Sequence, residues 1–196
     1  MRNRRVPGGL PVTLLFIAIN LVVFAYSASQ AGSLNIDAGT LVDLGGNFSP
    51  LVQRGEYWRL FTSLFLHGDG QHILFNMYSL FIMGGALEPV LPKWKFLLLY
   101  LGSGLGGSLL SYLQHTAVVS IGASGAIFGL LGVLIGYALL HRELFARGTL
   151  FQLLFIAGIN LVWGFQPGSG IDNFGHLGGL ATGFALSFLI KPGRRY

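Results

Sequence analysis

The chain has 196 residues, of which 53% are hydrophobic and 10% are charged, whereas a soluble domain usually has about 25% charged residues. This composition nearly excludes a soluble enzyme and excludes a disordered chain, which needs low hydrophobicity and high charge, and the lack of cysteine in the sequence excludes disulfides, thiolate metal ligands and cysteine nucleophiles. The formal net charge is +5, but because the basic residues lie at the ends of apolar runs, the charge indicates membrane orientation and not nucleic-acid binding.

Six segments are apolar and long enough, or nearly so, to cross a bilayer, which takes about 17–25 residues per helix. The predicted helices cover residues 10–28, 72–90, 94–113, 121–140, 149–165 and 174–190. The first is longer than the run of about 7–15 apolar residues in a usual signal peptide, so we expect it to be retained. Residues 29–71 form a long first loop, whose aromatic stretch 57–66 is predicted to lie at the membrane interface. The sequence therefore predicts an all-α polytopic membrane protein, a six-transmembrane-helix bundle in one domain, 1–196.

Six helices place both termini on one side of the membrane, and the basic residues sort accordingly. Arg54 and Arg59 fall on the opposite side, in the first loop. The other ten fall on the terminal side: Arg2, Arg4, Arg5, Lys93, Lys95, Arg142, Arg147, Lys191, Arg194 and Arg195. Because cytoplasmic loops carry the excess of Lys and Arg, we expect a multi-pass protein integral to the plasma (cell inner) membrane, with both termini cytoplasmic.

Polar residues enter the second, fourth and sixth predicted helices near their outer ends. His72 and Asn76 are four residues apart and share one face of the second helix. Ser124 lies in a Gly-Ala-Ser-Gly stretch at the start of the fourth helix, and His176 lies at the start of the sixth. At about 1.5 Å per residue, all of them lie roughly 5–8 Å below the outer edge of a hydrocarbon core of ~30 Å.

Hydrolysis explains this set of side chains. A serine hydroxyl becomes a nucleophile when an imidazole accepts its proton, and the oxyanion that then develops needs fixed hydrogen-bond donors. The backbone N–H of Ser124, at a helix N-terminus, would be one donor, and the side chains of His72 and Asn76 would be two more. We expect a polar cavity that opens to the outer face, lined by the starts of the second, fourth and sixth helices.

Other readings of the same residues stay open at this point. Gly-x-Ser-Gly alone is more often a helix-packing motif, and His72 with Asn76 would also suit an interhelical contact. A transporter would use His72 and His176 as relay groups, and a catalytically silent membrane chaperone would need neither. Three further polar residues are predicted to be interhelical contacts: Asn20, Gln152 and Asn160.

Four motifs resemble those of the rhomboid family of intramembrane serine proteases, in the right order and on the right helices. They are Trp58-Arg59 in the first loop, His67 with His72 and Asn76, Gly122-Ala123-Ser124-Gly125, and His176 followed by Gly179 and Gly183. The resemblance runs from the first helix to the sixth. It is to the minimal six-helix prokaryotic type.

The resemblance implies a Ser124–His176 dyad, in which the serine is the nucleophile and the histidine is the general base and acid. It implies an oxyanion site from His72 and Asn76, and a supporting role for His67. Gly122 and Phe128 are expected in the substrate site, and residues 164–173 would form a mobile cap. The implied partners are single-span transmembrane substrates and membrane lipid, with no nucleic acid, cofactor or metal. The oligomeric state is left open.

Two residues depart from the family pattern. Phe128 replaces the tyrosine that usually stacks on the catalytic histidine, and Gly175 replaces a common alanine before His176. Asp172 is predicted to be the N-cap of the sixth helix, which favours a dyad over a triad.

Two structural expectations concern helix contacts. Gly179 and Gly183 are predicted to bring the sixth helix close to the fourth. Glu88 is predicted to bond nearby backbone or hydroxyl groups, without a buried cation.

Overall fold

A computed structural model describes residues 9–115 and 117–192. It contains six long helices: α1 (Pro11–Ala31), α2 (Gly70–Leu87), α3 (Lys93–Tyr112), α4 (Ser124–Leu140), α5 (Thr149–Gly164) and α6 (Asn173–Leu189). The short helices Ala38–Asp43, Ser49–Val52 and Arg59–Thr62 lie in the first loop, and single 3₁₀ turns occur at Ser63–Phe65, Glu88–Val90 and Arg142–Leu144. Within the described ranges the only β-type pairing is an isolated bridge between Asn47 and Ser120, so the predicted all-α class is confirmed.

The outer surface of the helices is apolar. Two segments, Pro11–Ala31 and Gly70–Val90, are long and apolar enough to cross a bilayer, and α4 and α5 are apolar but shorter. Large side chains such as Val22, Phe75 and Phe151 are more than 60% exposed. Many large apolar side chains exposed on several helices suit a lipid environment.

Helix α4 forms the centre of the bundle. Every residue from Gly125 to Ala138 is buried, and the helix is apolar on all sides, as expected for a helix with no face toward solvent. Its most extensive contacts are with α6 and α3. Ser124, at its first position, is therefore held at the end of the best-packed element.

Glycines let α6 lie directly against α4. A Cβ on Gly179 would come within 3.0 Å of the Gly125 carbonyl oxygen, and a Cβ on Gly183 would overlap the Gly129 carbonyl in the same way. The obstacles are backbone atoms, which cannot rotate aside as a side chain does. The predicted close contact through Gly179 and Gly183 is confirmed.

Replacing either glycine of α6 is expected to destabilise the bundle. Gly179→Val and Gly183→Val should each cost at least the roughly 1–3 kcal/mol of an overpacked core, because the helices must separate to admit the side chain. Gly158→Val is the matched control, since a Cβ there meets nothing within 4 Å. Thermal unfolding in detergent measures the difference, and equal midpoints for all three variants would contradict the close contact.

A buried carboxylate from the end of α2 caps the N-terminus of α1. Glu88, which is 4% exposed, accepts hydrogen bonds from the backbone N–H groups of Val12 and Thr13, both at 2.8 Å, and from the Thr13 hydroxyl at 2.6 Å. Leu10, the N-cap residue of α1, supplies no side-chain cap. The prediction that Glu88 bonds backbone and hydroxyl groups is confirmed, and the positive end of the helix dipole replaces a cation.

Glu88→Ala is expected to lower the stability by about 1.5–3 kcal/mol, the range for a hydrogen bond to a charged group. The two backbone N–H groups would lose their acceptor. Glu143→Ala removes an exposed carboxylate near the same end of the bundle and should leave the unfolding midpoint unchanged. Equal midpoints for the two variants would show that the cap contributes little.

Arg59 connects several turns within the first loop. Its guanidinium group is buried, donates to the carbonyl oxygens of Val42 and Gly46, and pairs with Glu56 at 2.7 Å. It also lies 4.6 Å from the centre of the Trp58 ring. A single side chain thus satisfies carbonyls on two turns of the loop and fixes these turns relative to each other.

The structure does not show the predicted interhelical contact for two of the three polar residues. Gln152 and Asn160 lie on the exposed side of α5, and Asn160 donates to the carbonyl of Ile156 in its own helix. Asn20 is buried, but its amide also donates within its own helix, to Phe16. The prediction is wrong for Gln152 and Asn160, because both lie on the side of α5 that faces away from the bundle.

Candidate active site

Ser124 follows a tight turn that requires glycine. Gly122 has φ of 115°, a conformation that glycine adopts at little cost, and its N–H donates to the Ser63 carbonyl at 2.9 Å. Ala123 is fully buried beside it. Ser124 is the first residue of α4, so its backbone N–H belongs to the first turn, whose N–H groups have no acceptor inside the helix, and it lies at the positive end of the dipole.

His176 lies on the first turn of α6 and packs against α4. Its ring stacks on Phe128 with 4.1 Å between ring centres and 10° between ring planes. Phe128 is one helical turn beyond Ser124, so this stack holds the imidazole on the side of α4 where the serine begins the helix. The two segments also meet through their backbones, since a Cβ on Gly125 would lie 3.3 Å from the Gly175 carbonyl oxygen.

The carboxylate of Asp172 is engaged away from the imidazole. One oxygen accepts from the Gly175 N–H at 2.9 Å, and the other accepts from the Ser120 hydroxyl at 2.5 Å. The Nδ1 atom of His176 is buried and has no hydrogen-bond partner in the described part of the chain. The predicted N-cap role of Asp172 is confirmed, and no carboxylate of the described residues is hydrogen-bonded to the Nδ1 atom of His176.

His72 lies over the turn that precedes the serine. A Cβ on Gly122 would be 2.8 Å from the Nε2 atom of His72 and 3.7 Å from the Ser124 hydroxyl oxygen, so both polar atoms face the same glycine. Asp69 caps α2 by accepting from the His72 N–H at 2.8 Å. Capping thus fixes the helix start that carries the imidazole.

Asn76 lies one turn further along α2 and is buried. Its Nδ2 atom donates to the His72 carbonyl at 2.9 Å, which uses one of its two amide hydrogens. The second hydrogen stays available to a ligand at this face.

His67 is fully buried, and its ring lies edge-on to His72 at 4.9 Å. Burial, with a smaller contribution from His72, lowers the pKa of His67 to about 3. The ring is therefore neutral at physiological pH and supports His72 by packing.

A cavity of about 20 Å³ lies next to Ser124, which is room for about one water molecule. It is lined by Ser63, Leu64, Gly104, Gly107, Ser108, Ser120, Ile121, Gly122, Ser124, Gly125, Asp172 and Gly175. The starts of α4 and α6 contribute to it as predicted. No residue of α2 lines this cavity, whose other side is formed by α3 and the first loop, so the part of α2 in the predicted polar cavity stays a prediction.

Sequence analysis missed the hydroxyl groups around this cavity. The Ser63 and Ser108 hydroxyls are 3.3 Å apart, and the Asn47 amide donates to the Ser108 carbonyl and hydroxyl. These serines belong to no motif. Their only sequence signal is the small-residue stretch 102–108 of α3, which indicates close packing and not a polar site.

Comparisons with known proteins agree on one family. A family model described as a Rhomboid domain matches residues 54–193. The chain is 42% identical over 172 residues to Rhomboid protease GluP of Bacillus subtilis (strain 168), covering 88% of this chain and 33% of that protein. It is 45% identical over 158 residues to RHOMBOID-like protein 1 of Arabidopsis thaliana, covering 78% and 40%.

A third relative matches over nearly its whole length. The chain is 37% identical over 191 residues to Putative rhomboid protease YdcA of Bacillus subtilis (strain 168), covering 95% of this chain and 92% of that protein. By contrast, the chain spans only a third to two-fifths of the length of the first two relatives.

Proposed function

The chain belongs to the rhomboid family, and we propose that it is an intramembrane serine endopeptidase that cleaves transmembrane segments of single-span membrane proteins with a Ser124–His176 dyad. The observation that carries the proposal is the junction of α4 and α6. There a serine at a helix N-terminus and an imidazole clamped on Phe128 lie on two helix starts whose backbones touch.

In the proposed dyad, Ser124 is the nucleophile and His176 is its only base. His176 takes the proton of the Ser124 hydroxyl as the oxygen attacks the scissile carbonyl, and later gives it to the leaving amine. Ring stacking supplies the orientation that an aspartate supplies in a triad, since the Nδ1 side of His176 carries no carboxylate.

The oxyanion would be held at the turn before α4. The free N–H of Ser124 points out of a helix N-terminus, and the Nε2 atom of His72 lies over Gly122. The remaining amide hydrogen of Asn76 is the third donor. Donors fixed before the reaction stabilise developing charge without reorganising.

The arrangement in the membrane follows the charge distribution. The six long helices would each cross the bilayer, with both termini in the cytoplasm and the Ser124 end open to the outer face. A cavity of about 20 Å³ admits a water but no polypeptide. The proposed cap is the segment 164–173, which leads into the start of α6 and would move to admit a substrate to Ser124.

Incubation with a panel of single-span proteins in liposomes tests the function. Cleavage should occur within or near the transmembrane segment, with the site read by mass spectrometry, and a fluorophosphonate should label Ser124. The Ser124→Ala variant is the control in both assays. If the wild type shows no cleavage and takes up no label, the result would favour the transporter or the silent chaperone.

Phe128→Ala is expected to lower kcat by about 10²-fold, because a catalytic group misplaced by about 1 Å loses that much. The stacked ring is the contact that fixes the imidazole plane. Phe128→Tyr keeps the ring and should keep the activity, while Phe151→Ala removes an exposed ring on α5 as a control. Unchanged kcat in Phe128→Ala would show that another contact orients His176.

A further inference from the structure

A polar contact joins the two chain segments that carry the dyad. Asp172 lies four residues before His176, and Ser120 lies four residues before Ser124. The Asp172 carboxylate accepts the Ser120 hydroxyl at 2.5 Å with one oxygen and caps α6 through the Gly175 N–H with the other.

Ser120 is itself held firmly. Its backbone N–H and carbonyl both pair with Asn47 in the first loop, at 2.9 and 3.0 Å. The buried Asn47 amide in turn donates to Ser108 on α3. The residue that meets Asp172 is therefore fixed relative to the first loop and, through Asn47, to α3.

The first turns of α6 meet α3 and α4 mostly through backbone atoms, because they are rich in glycine. Gly175, Gly178 and Gly179 contribute no side chains that could interlock with α3 or α4. Gly175 also leaves room for the carboxylate, since a Cβ there would lie 2.7 Å from an oxygen of Asp172. This accounts for glycine at the position before His176, where the family commonly has alanine.

We propose that Asp172 is a positioning residue, which acts through Ser120 to set the first turn of α6, and with it His176, relative to Ser124. The proposal rests on the proposed protease function. It assigns Asp172 no role in proton transfer. Gly175 belongs to the same arrangement, because it leaves room for the Asp172 carboxylate.

The test compares Asp172→Ala, Ser120→Ala and the double variant with the wild type. Each single variant should lower kcat and the rate of fluorophosphonate labelling by about 10- to 10²-fold, the cost of a slightly misplaced catalytic group, with KM unchanged. The double variant should be no slower than Asp172→Ala, because both changes remove one contact. Asp172→Asn should retain most of kcat, since its amide oxygen can still cap α6 and its Nδ2 can donate to the Ser120 oxygen.

Controls separate this contact from general damage. Asp37→Ala removes the N-cap of a short first-loop helix, and Ser29→Ala removes an exposed hydroxyl of α1. Both should leave kcat unchanged. Gly175→Ala should lower kcat when Asp172 is present but not in the Asp172→Ala variant. The reason is that the added methyl group and the carboxylate would occupy the same space.

Three outcomes would overturn the proposal. If Ser120→Ala has the kcat of the wild type, Asp172 acts only as a helix cap. If Asp172→Asn lowers kcat by about 10⁴-fold, Asp172 is a triad acid. Additive thermal midpoints in the four proteins would show that the contact does not couple the segments. If the wild type takes no label, the proposed function fails, and the midpoints still decide whether Ser120 and Asp172 are coupled.

Discussion

Ser124→Ala is expected to abolish cleavage, with kcat lower by roughly 10⁶-fold, as for removal of the nucleophile in other serine proteases. The loss is large because the hydroxyl forms the covalent intermediate and the rest of the site cannot replace it. The fold should persist, because Ser124 is only partly buried and the close contacts of α4 are made by Gly125 and Gly129. Cleavage of a single-span substrate in liposomes and the thermal midpoint give the two measurements.

Ser29→Ala serves as the matched serine control. Its exposed hydroxyl donates only to Tyr26 within α1, so it should cleave and accept a fluorophosphonate like the wild type. If purified Ser124→Ala cleaves at a rate near that of the wild type, the serine-protease hypothesis is wrong.

His72→Ala and Asn76→Ala are each expected to lower kcat by about 10²–10³-fold, the loss that follows removal of one oxyanion donor. KM should change little, because the donors act on charge that develops only in the transition state. Initial rates at several substrate concentrations separate the two parameters.

Asn160→Ala is a close control for Asn76→Ala. Both side chains donate to the carbonyl four residues earlier in their own helix, but Asn160 is exposed on α5. It should therefore reproduce any loss of helix stability without the loss of turnover. Normal kcat in both His72→Ala and Asn76→Ala would show that this pair is a structural contact of α2.

The amino-acid sequence by itself determined the helical class and several local features. Composition and apolar runs, such as the predicted segment 121–140 that contains α4, are properties of neighbouring residues, so they can be read without a fold. The N-cap role of Asp172 was predictable for the same reason, because the cap and the N–H that it binds are three residues apart. The spacing of Gly179 and Gly183 likewise indicated a face narrow enough for another helix.

The tertiary structure alone decided which distant groups meet. Asp172 and Ser120 are 52 residues apart, and Glu88 and Thr13 are 75 apart, so no local pattern relates them. The same holds for the hydroxyls of Ser63 and Ser108, which come together beside the cavity next to Ser124. These contacts depend on how closely the helices approach one another. Sequence spacing indicated that α6 would lie close to α4, but it does not give the positions of side chains on different helices relative to one another.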